Sequence, residues 1–209
     1  MRLSLDSLAA LEFLTWAVRL ATDEQIQKVL ELDGHSGVLA SRLMRRLRTA
    51  GLVHRERIHV GVLDLTEPLC MWAPDKPKPR LGSIAWRLLV RSKGIERKRV
   101  VVNWATRRAA KLMAGSSGQL RQPLQAEHDL GTTATYVACL KRDSEMLWLG
   151  EDIVRRRFGD EVLKVPDALI IDRQQSIRRA IEFGGQYGRR RLETFHRFWK
   201  QRNTAWEIW

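Results

Sequence analysis

Apolar positions recur at helical spacing near the start of the chain, at Leu8, Leu11, Leu14 (or Phe13) and Val18. Thr22-Asp23-Glu24-Gln25 follows. In that pattern the threonine hydroxyl accepts from the first-turn backbone and the glutamine reaches back to the threonine N–H. It predicts a second helix with Ile26, Val29 and Leu30 inward, broken at Gly34 and Gly37. A third helix is predicted over about residues 38–50, with Leu39, Leu43 and Leu47 inward and Gly51 as its C-cap. Residues 52–60 partly alternate, and Gly61 is expected to turn them back into 62–72 as a hairpin.

The middle of the chain carries weaker periodicity. Ile84, Leu88 and Val90 mark a short helix, residues 97–104 a strand with a basic edge, and residues 105–113 a helix bearing Arg107, Arg108 and Lys111. Further on, Glu127-His128-Asp129-Leu130 opens a helix through Val137 and Leu140, and Met146-Leu147-Trp148-Leu149 is a short apolar run. A helix over 151–158, strands over 164–172 and 176–183, a long amphipathic helix over 187–202 and a closing strand over 204–209 complete the pattern. Leu192, Phe195, Phe198 and Trp199 line one side of that long helix.

Two breaks interrupt the sequence. Residues 73–80 contain three prolines, which favour an extended connector, and Ala114-Gly115-Ser116-Ser117-Gly118 has a flexible composition. The expected architecture is α+β in three pieces. Residues 1–73 form an N-terminal helical and hairpin module. Residues 81–114 form a second helical and strand lobe, or an extension of the first. Residues 124–209 form an α/β domain.

Charge gives this pattern a direction. Lys and Arg number 37 against 24 Asp and Glu, a formal net charge of +13 over 209 residues. A folded protein so basic is expected to meet a polyanion, nucleic acid before an anionic membrane. No apolar stretch approaches the length of a membrane span, and Asp6 and Glu12 disfavour a secretory leader. Cys70 and Cys139 lack CxxC spacing, so neither structural zinc nor a disulfide framework is expected. The expectation is a cytoplasmic protein with no membrane association.

The charge has addresses. Arg42, Arg45, Arg46 and Arg48 crowd the third helix, and Arg55 and Arg57 follow on the first strand of the hairpin. Three helices, the third basic, then a hairpin describe a winged helix-turn-helix. Guanidinium groups on the third helix suit guanine edges and phosphates, and the wing arginines suit phosphate. The alternative is a solvated helix face, or a winged helix used for protein contact. Residues 178–202 carry eight basic and two acidic side chains, and Arg189, Arg190 and Arg191 are candidates for a second grip on the DNA backbone.

Pro166-Asp167 and Glu182, on consecutive strands, resemble the acid pair of restriction-endonuclease-like nucleases. In that fold an Asp and a Glu bind Mg²⁺ over the scissile phosphate, and a lysine two residues after the Glu assists the attacking water. Here that position is Gly184, and neither Gln186 nor Lys164 is an obvious substitute. Glu127 is a candidate third acid, and His128 beside it is either a ligand or base, or a hydrogen-bonded structural residue. The other reading is that Asp167 caps a strand and Glu182 pairs with Arg178 or Arg179. His196 and the tryptophans Trp199, Trp206 and Trp209 read as core, groove or dimer contacts.

The two halves together resemble the replication-relaxation family of plasmids and mobile elements, over most of the chain. Ala50-Gly51-Leu52-Val53, Glu127-His128-Asp129-Leu130, Val165-Pro166-Asp167-Ala168 and Ile181-Glu182-Phe183-Gly184-Gly185 carry the likeness. It implies an N-terminal winged helix, a degenerate nuclease-like C-terminal domain, and DNA binding in replication, relaxation or mobilisation. A metal-dependent endonuclease using Asp167 and Glu182, and a winged-helix transcriptional repressor, are the alternatives. The expected partner is double-stranded DNA, with a relaxase, replication or transposition protein, or a second copy of the chain, as further partners. No cofactor is expected, except Mg²⁺ if the nuclease alternative holds.

Overall fold

The computed structural model describes residues 3–35, 37–120, 123–159 and 165–209. Lys164 lies outside these. The chain mixes helix and strand and divides into two compact units, each discontinuous in sequence. The first comprises Met1–Leu63 and Glu96–Glu145, the second Asp64–Ile95 and Met146–Trp209. Among the described residues no helix is long and apolar enough to cross a membrane.

In the first unit α1 (Leu5–Glu12) is capped by the Ser4 side chain and runs into a π-helical turn at Phe13–Ala17. Leu11 and Leu14 are buried as the spacing predicts, whereas Leu8 is exposed. The strand β1 (Ala21–Thr22) leads into α2 (Asp23–Leu32). Here the capping box forms in full, with the Gln25 N–H donating to Thr22 Oγ1 at 3.1 Å and the Thr22 N–H to Gln25 Oε1 at 3.0 Å. Helix α3 (Ala40–Thr49) buries Leu43, Met44 and Leu47, while Leu39 precedes the helix and stays exposed. Gly51 follows with φ +70°, a conformation that glycine adopts without a steric penalty.

The next strand does not turn at Gly61. Instead β2 (Val53–Gly61) pairs antiparallel with β4 (Arg97–Ala105) along its whole length, from Val53↔Ala105 to Gly61↔Arg97. Nine matched residues, with Val100 and Val102 on the face that also holds Ile58 and Val60, out-compete residues 62–72, which carry Asp64, Glu67 and Pro68. The sheet order is β1-β4-β2. Val60 and Val102 pack with Leu20, Ala126 and Leu130, the last two from α6 (Pro123–Arg142). The short α5 (Arg107–Leu112) lies between, and the Arg108 guanidinium donates to the Ala50 carbonyl just past the end of α3.

Residues 64–95, interposed between the two ribbon strands, supply β3 (Cys70–Trp72) and α4 (Leu81–Lys93) to the second unit. The proline-rich stretch therefore lies within a unit. The expected divisions at 73, 81, 114 and 124 are replaced by crossings at 63/64, 95/96 and 145/146. Five strands order as β3-β8-β7-β6-β5. β5 (Leu147–Gly150), β6 (Ala168–Ile171) and β7 (Ile177–Glu182) pair antiparallel in turn. α7 (Glu151–Phe158) packs on β5 and β6. Then α8 (Arg189–Gln201) crosses to β8 (Ala205–Ile208), which runs parallel to β7.

The core of this unit is aromatic. Trp206 lies 6.0 Å from Trp72 and 5.9 Å from Phe195, ring centre to ring centre. The imidazole of His196 stands edge-on to both Trp72 and Trp206. Trp199, Trp206 and Trp209 are all buried, so within this chain they are core.

Candidate functional site

Amphipathicity shapes the basic surface of the first unit. Leu43, Met44 and Leu47 bury one side of α3, which leaves Arg42, Arg45, Arg46 and Arg48 exposed on the other. Among the described residues none of these four guanidiniums meets a carboxylate. The Arg45 Nε donates only to the Ser41 carbonyl one turn back.

Arg55 is different. Its two terminal nitrogens meet the two Asp23 carboxylate oxygens at 2.5 Å each, and one also donates to Asn103 Oδ1 at 2.9 Å. The Asn103 amide in turn donates to Asp23 and to the Ala21 carbonyl. Arg55 thus holds the start of α2 to the ribbon and is not available to a phosphate. Arg57 is exposed, and the register places it on the same ribbon face as Arg55, with His59 and Arg99 next along. Arg99 belongs to the basic edge expected of residues 97–104, and the pairing of that strand with β2, in place of residues 62–72, brings it to the face of Arg57. The run Arg97-Lys98-Arg99 is its signal.

Glu127 belongs to this unit, on α6. It accepts from the Gly61 N–H at 3.1 Å and pairs with Arg97 Nε at 2.8 Å, so it fastens the end of the ribbon to the helix. It is not a third member of the acid pair. His128, half-buried on the same helix, is likewise outside that pair.

In the second unit the acids do come together. The register Ala168↔Ile181 puts Asp167 and Glu182 one step further on, side by side and on the same face. The Phe183 N–H donates to Asp167 Oδ2 at 2.7 Å. Glu182 is 1% exposed. Its Oε1 lies 3.7 Å from Arg191 Nη2, and the Tyr187 hydroxyl is hydrogen-bonded to it. Arg191 also donates to the Tyr187 hydroxyl and stacks its guanidinium 3.5 Å over that ring. Burial, then the Glu182 and Asp167 charges, push the Tyr187 phenol far above its usual value, so it stays protonated and donates.

The pairing expected for Glu182 is corrected. Arg179 instead meets the buried Glu207 at 2.6 Å, where Trp209 Nε1 also donates, and Arg178 meets Asp172 at 2.8 Å. The place where a nuclease would hold its lysine is filled. A Cβ on Gly184 would stand 2.6 Å from both methyl carbons of the buried Leu88 on α4. Among the described residues no group of three or more His, Cys, Asp or Glu is placed to hold a metal.

The three arginines at the start of α8 part company. Arg189 pairs with Glu193 at 2.8 Å, one turn on. Arg191 turns to the acid pair. Only Arg190 stands exposed and without a carboxylate among the described residues, with Arg197 exposed two turns along. Arg91, beneath this region, donates to the Trp209 carbonyl and stacks over Phe183. Burial and the neighbouring Arg87 bring its pKa down to about 10. No family model, no curated protein and no solved structure matches the chain.

Proposed function

We propose that the chain binds duplex DNA through its first unit, read as a winged helix-turn-helix, with α3 in the major groove. One observation carries this reading: α3 buries Leu43, Met44 and Leu47 and exposes four arginines that no carboxylate of the described residues neutralises. Like charges three or four residues apart on one helix repel and cost a few tenths of a kcal/mol each, a cost that a polyanion laid along that face would relieve. The β2–β4 ribbon is the wing in this reading, with Arg57 and Arg99 as its phosphate contacts. The second unit is read as a nuclease-like fold. Three antiparallel strands, a helical crossover and a parallel fourth strand support it, as do an Asp and a Glu facing each other on adjacent strands. The motif likeness to the replication-relaxation family supplies the process: replication, relaxation or mobilisation of a plasmid or other mobile element in the cytoplasm.

The test is binding to duplex DNA at fixed salt, by fluorescence anisotropy, with the site first selected from a pool of random duplexes. Arg45→Ala with Arg46→Ala is expected to weaken binding by about 1–3 kcal/mol for each base no longer touched, and to relax the selected sequence. Unchanged affinity in that double variant removes α3 from the interface.

A further inference from the structure

We propose that the acid pair of the second unit is closed by Arg191 of its own chain, which stands in for a cation, so that the pair takes no divalent metal and the unit does not cut DNA.

Charge and space both weigh against a metal. Mg²⁺ asks for about six oxygens in a near-regular octahedron, at about 2.0–2.1 Å, and usually keeps several waters. Two carboxylates are present, and one oxygen of each is engaged. Asp167 Oδ2 takes the Phe183 N–H at 2.7 Å, a bond that fixes the carboxylate to the backbone just past β7. Glu182 is buried against the Tyr187 hydroxyl, with the Arg191 guanidinium 3.7 Å away. The pair is also isolated. Glu127 is bound to the ribbon of the other unit, and no third ligand converges among the described residues.

Arg191 is well placed to act as the resident cation. It sits in the first turn of α8, half-exposed, and its guanidinium is held flat on the Tyr187 ring while it faces Glu182. A second cation at the carboxylates would meet this positive charge at short range, and the repulsion lowers its affinity. On the other side Leu88 fills the space over Gly184 that a catalytic lysine would cross. Arg191 therefore closes the metal position, while Leu88 takes the room of the group that would assist the attacking water.

The experiment uses the full chain, stripped of metal, titrated with MnCl₂ by calorimetry, alongside a supercoiled-plasmid nicking assay in Mn²⁺. The wild type is expected to show no saturable binding and no nicking. Arg191→Gln, which removes the charge from a half-exposed position, is expected to show saturable Mn²⁺ binding where the wild type shows none. That gain should vanish when Asp167→Asn is added. Arg191→Lys, which keeps the charge, should remain as silent as the wild type. Melting curves establish that each variant is folded. Three results overturn the proposal: wild-type Mn²⁺ binding or nicking that Asp167→Asn abolishes, no gain in a folded Arg191→Gln, or an equal gain in Arg191→Lys. DNA binding through Arg45 and Arg46 is measured separately, and neither result decides the other.

Discussion

Arg55 grips Asp23 with both arms of its guanidinium, 2.5 Å from each carboxylate oxygen, across the start of α2 and the middle of the ribbon. The side chain that sequence position assigns to a phosphate is therefore a structural clasp. Arg55→Leu is expected to lower stability by about 1.5–3 kcal/mol, the usual cost of losing a hydrogen bond to a charged group, read as a fall in the urea midpoint. Asp23→Asn should do much the same. A folded Arg55→Leu that loses DNA affinity with no loss of stability would return Arg55 to the interface.

Arg57 and Arg99 give the opposite expectation. Both are exposed, and the register places them on one face of the ribbon. Replacing either with Ala should leave the melting curve within about 0.5 kcal/mol of the wild type. Each should also reduce the slope of log affinity against log salt by about one unit, without changing the sequence selected. A slope that stays the same in both variants takes the ribbon out of the interface.

Gly184 is held bare by Leu88. Adding a methyl group in Gly184→Ala forces the buried leucine to repack, at about 1–3 kcal/mol. Gly184→Lys, which would restore the missing nuclease lysine, should be at least as costly. Leu88→Ala alone should cost about 2–5 kcal/mol as a cavity, yet the double variant Leu88→Ala with Gly184→Ala should lose less than the sum. Strict additivity in denaturant unfolding would mean that the two positions do not share this space.

Buried His196 sets an acid limit. Burial, with Lys78 and Lys200 adding to it, holds the imidazole below its ordinary value of 6.5, and among the described residues its Nδ1 has no hydrogen-bond partner. Below about pH 6.5 the unfolded chain takes up a proton that the folded chain resists. Stability is therefore whole above that pH and falls as the pH drops through it. His196→Phe keeps an aromatic ring between Trp72 and Trp206 and should flatten this part of the profile, measured as urea midpoints on either side of pH 6.5. A wild-type midpoint that does not move over that interval would show that His196 charges freely in the fold.

Sequence pattern is a sound guide where the signal is local. The Thr22/Gln25 box, the inward Leu43 and Leu47, and the order of strands and helix from 168 to 208 all follow from neighbours within a few residues. It misleads where partners are distant. No periodicity within residues 53–61 tells that their partner lies at 97–105 and not at 62–72, since both are short, partly apolar runs. The two acids are legible as a pair, because strand alternation carries both to one face. Arg191 is not, because its approach to Glu182 depends on the pitch at which α8 leaves Gly188 and on Tyr187 beneath it. Gly184 visibly lacks the lysine, but only the packing of α4 shows why no side chain fits there.

The strands of the ribbon are joined through 64–95, which fold with the far half of the chain, so the polypeptide passes between the units three times. Neither unit is one continuous stretch of coding sequence. A stop codon or single cut placed anywhere from 64 to 145 leaves both units incomplete, so deletion series are expected to yield insoluble fragments rather than a free DNA-binding half. The first unit is obtained instead by excision: a short turn joining Gly61 to Arg97, which already face each other across the ladder, followed by the chain through residue 145. Shuffling between relatives would meet the same constraint, and a working exchange has to carry 64–95 together with 146–209.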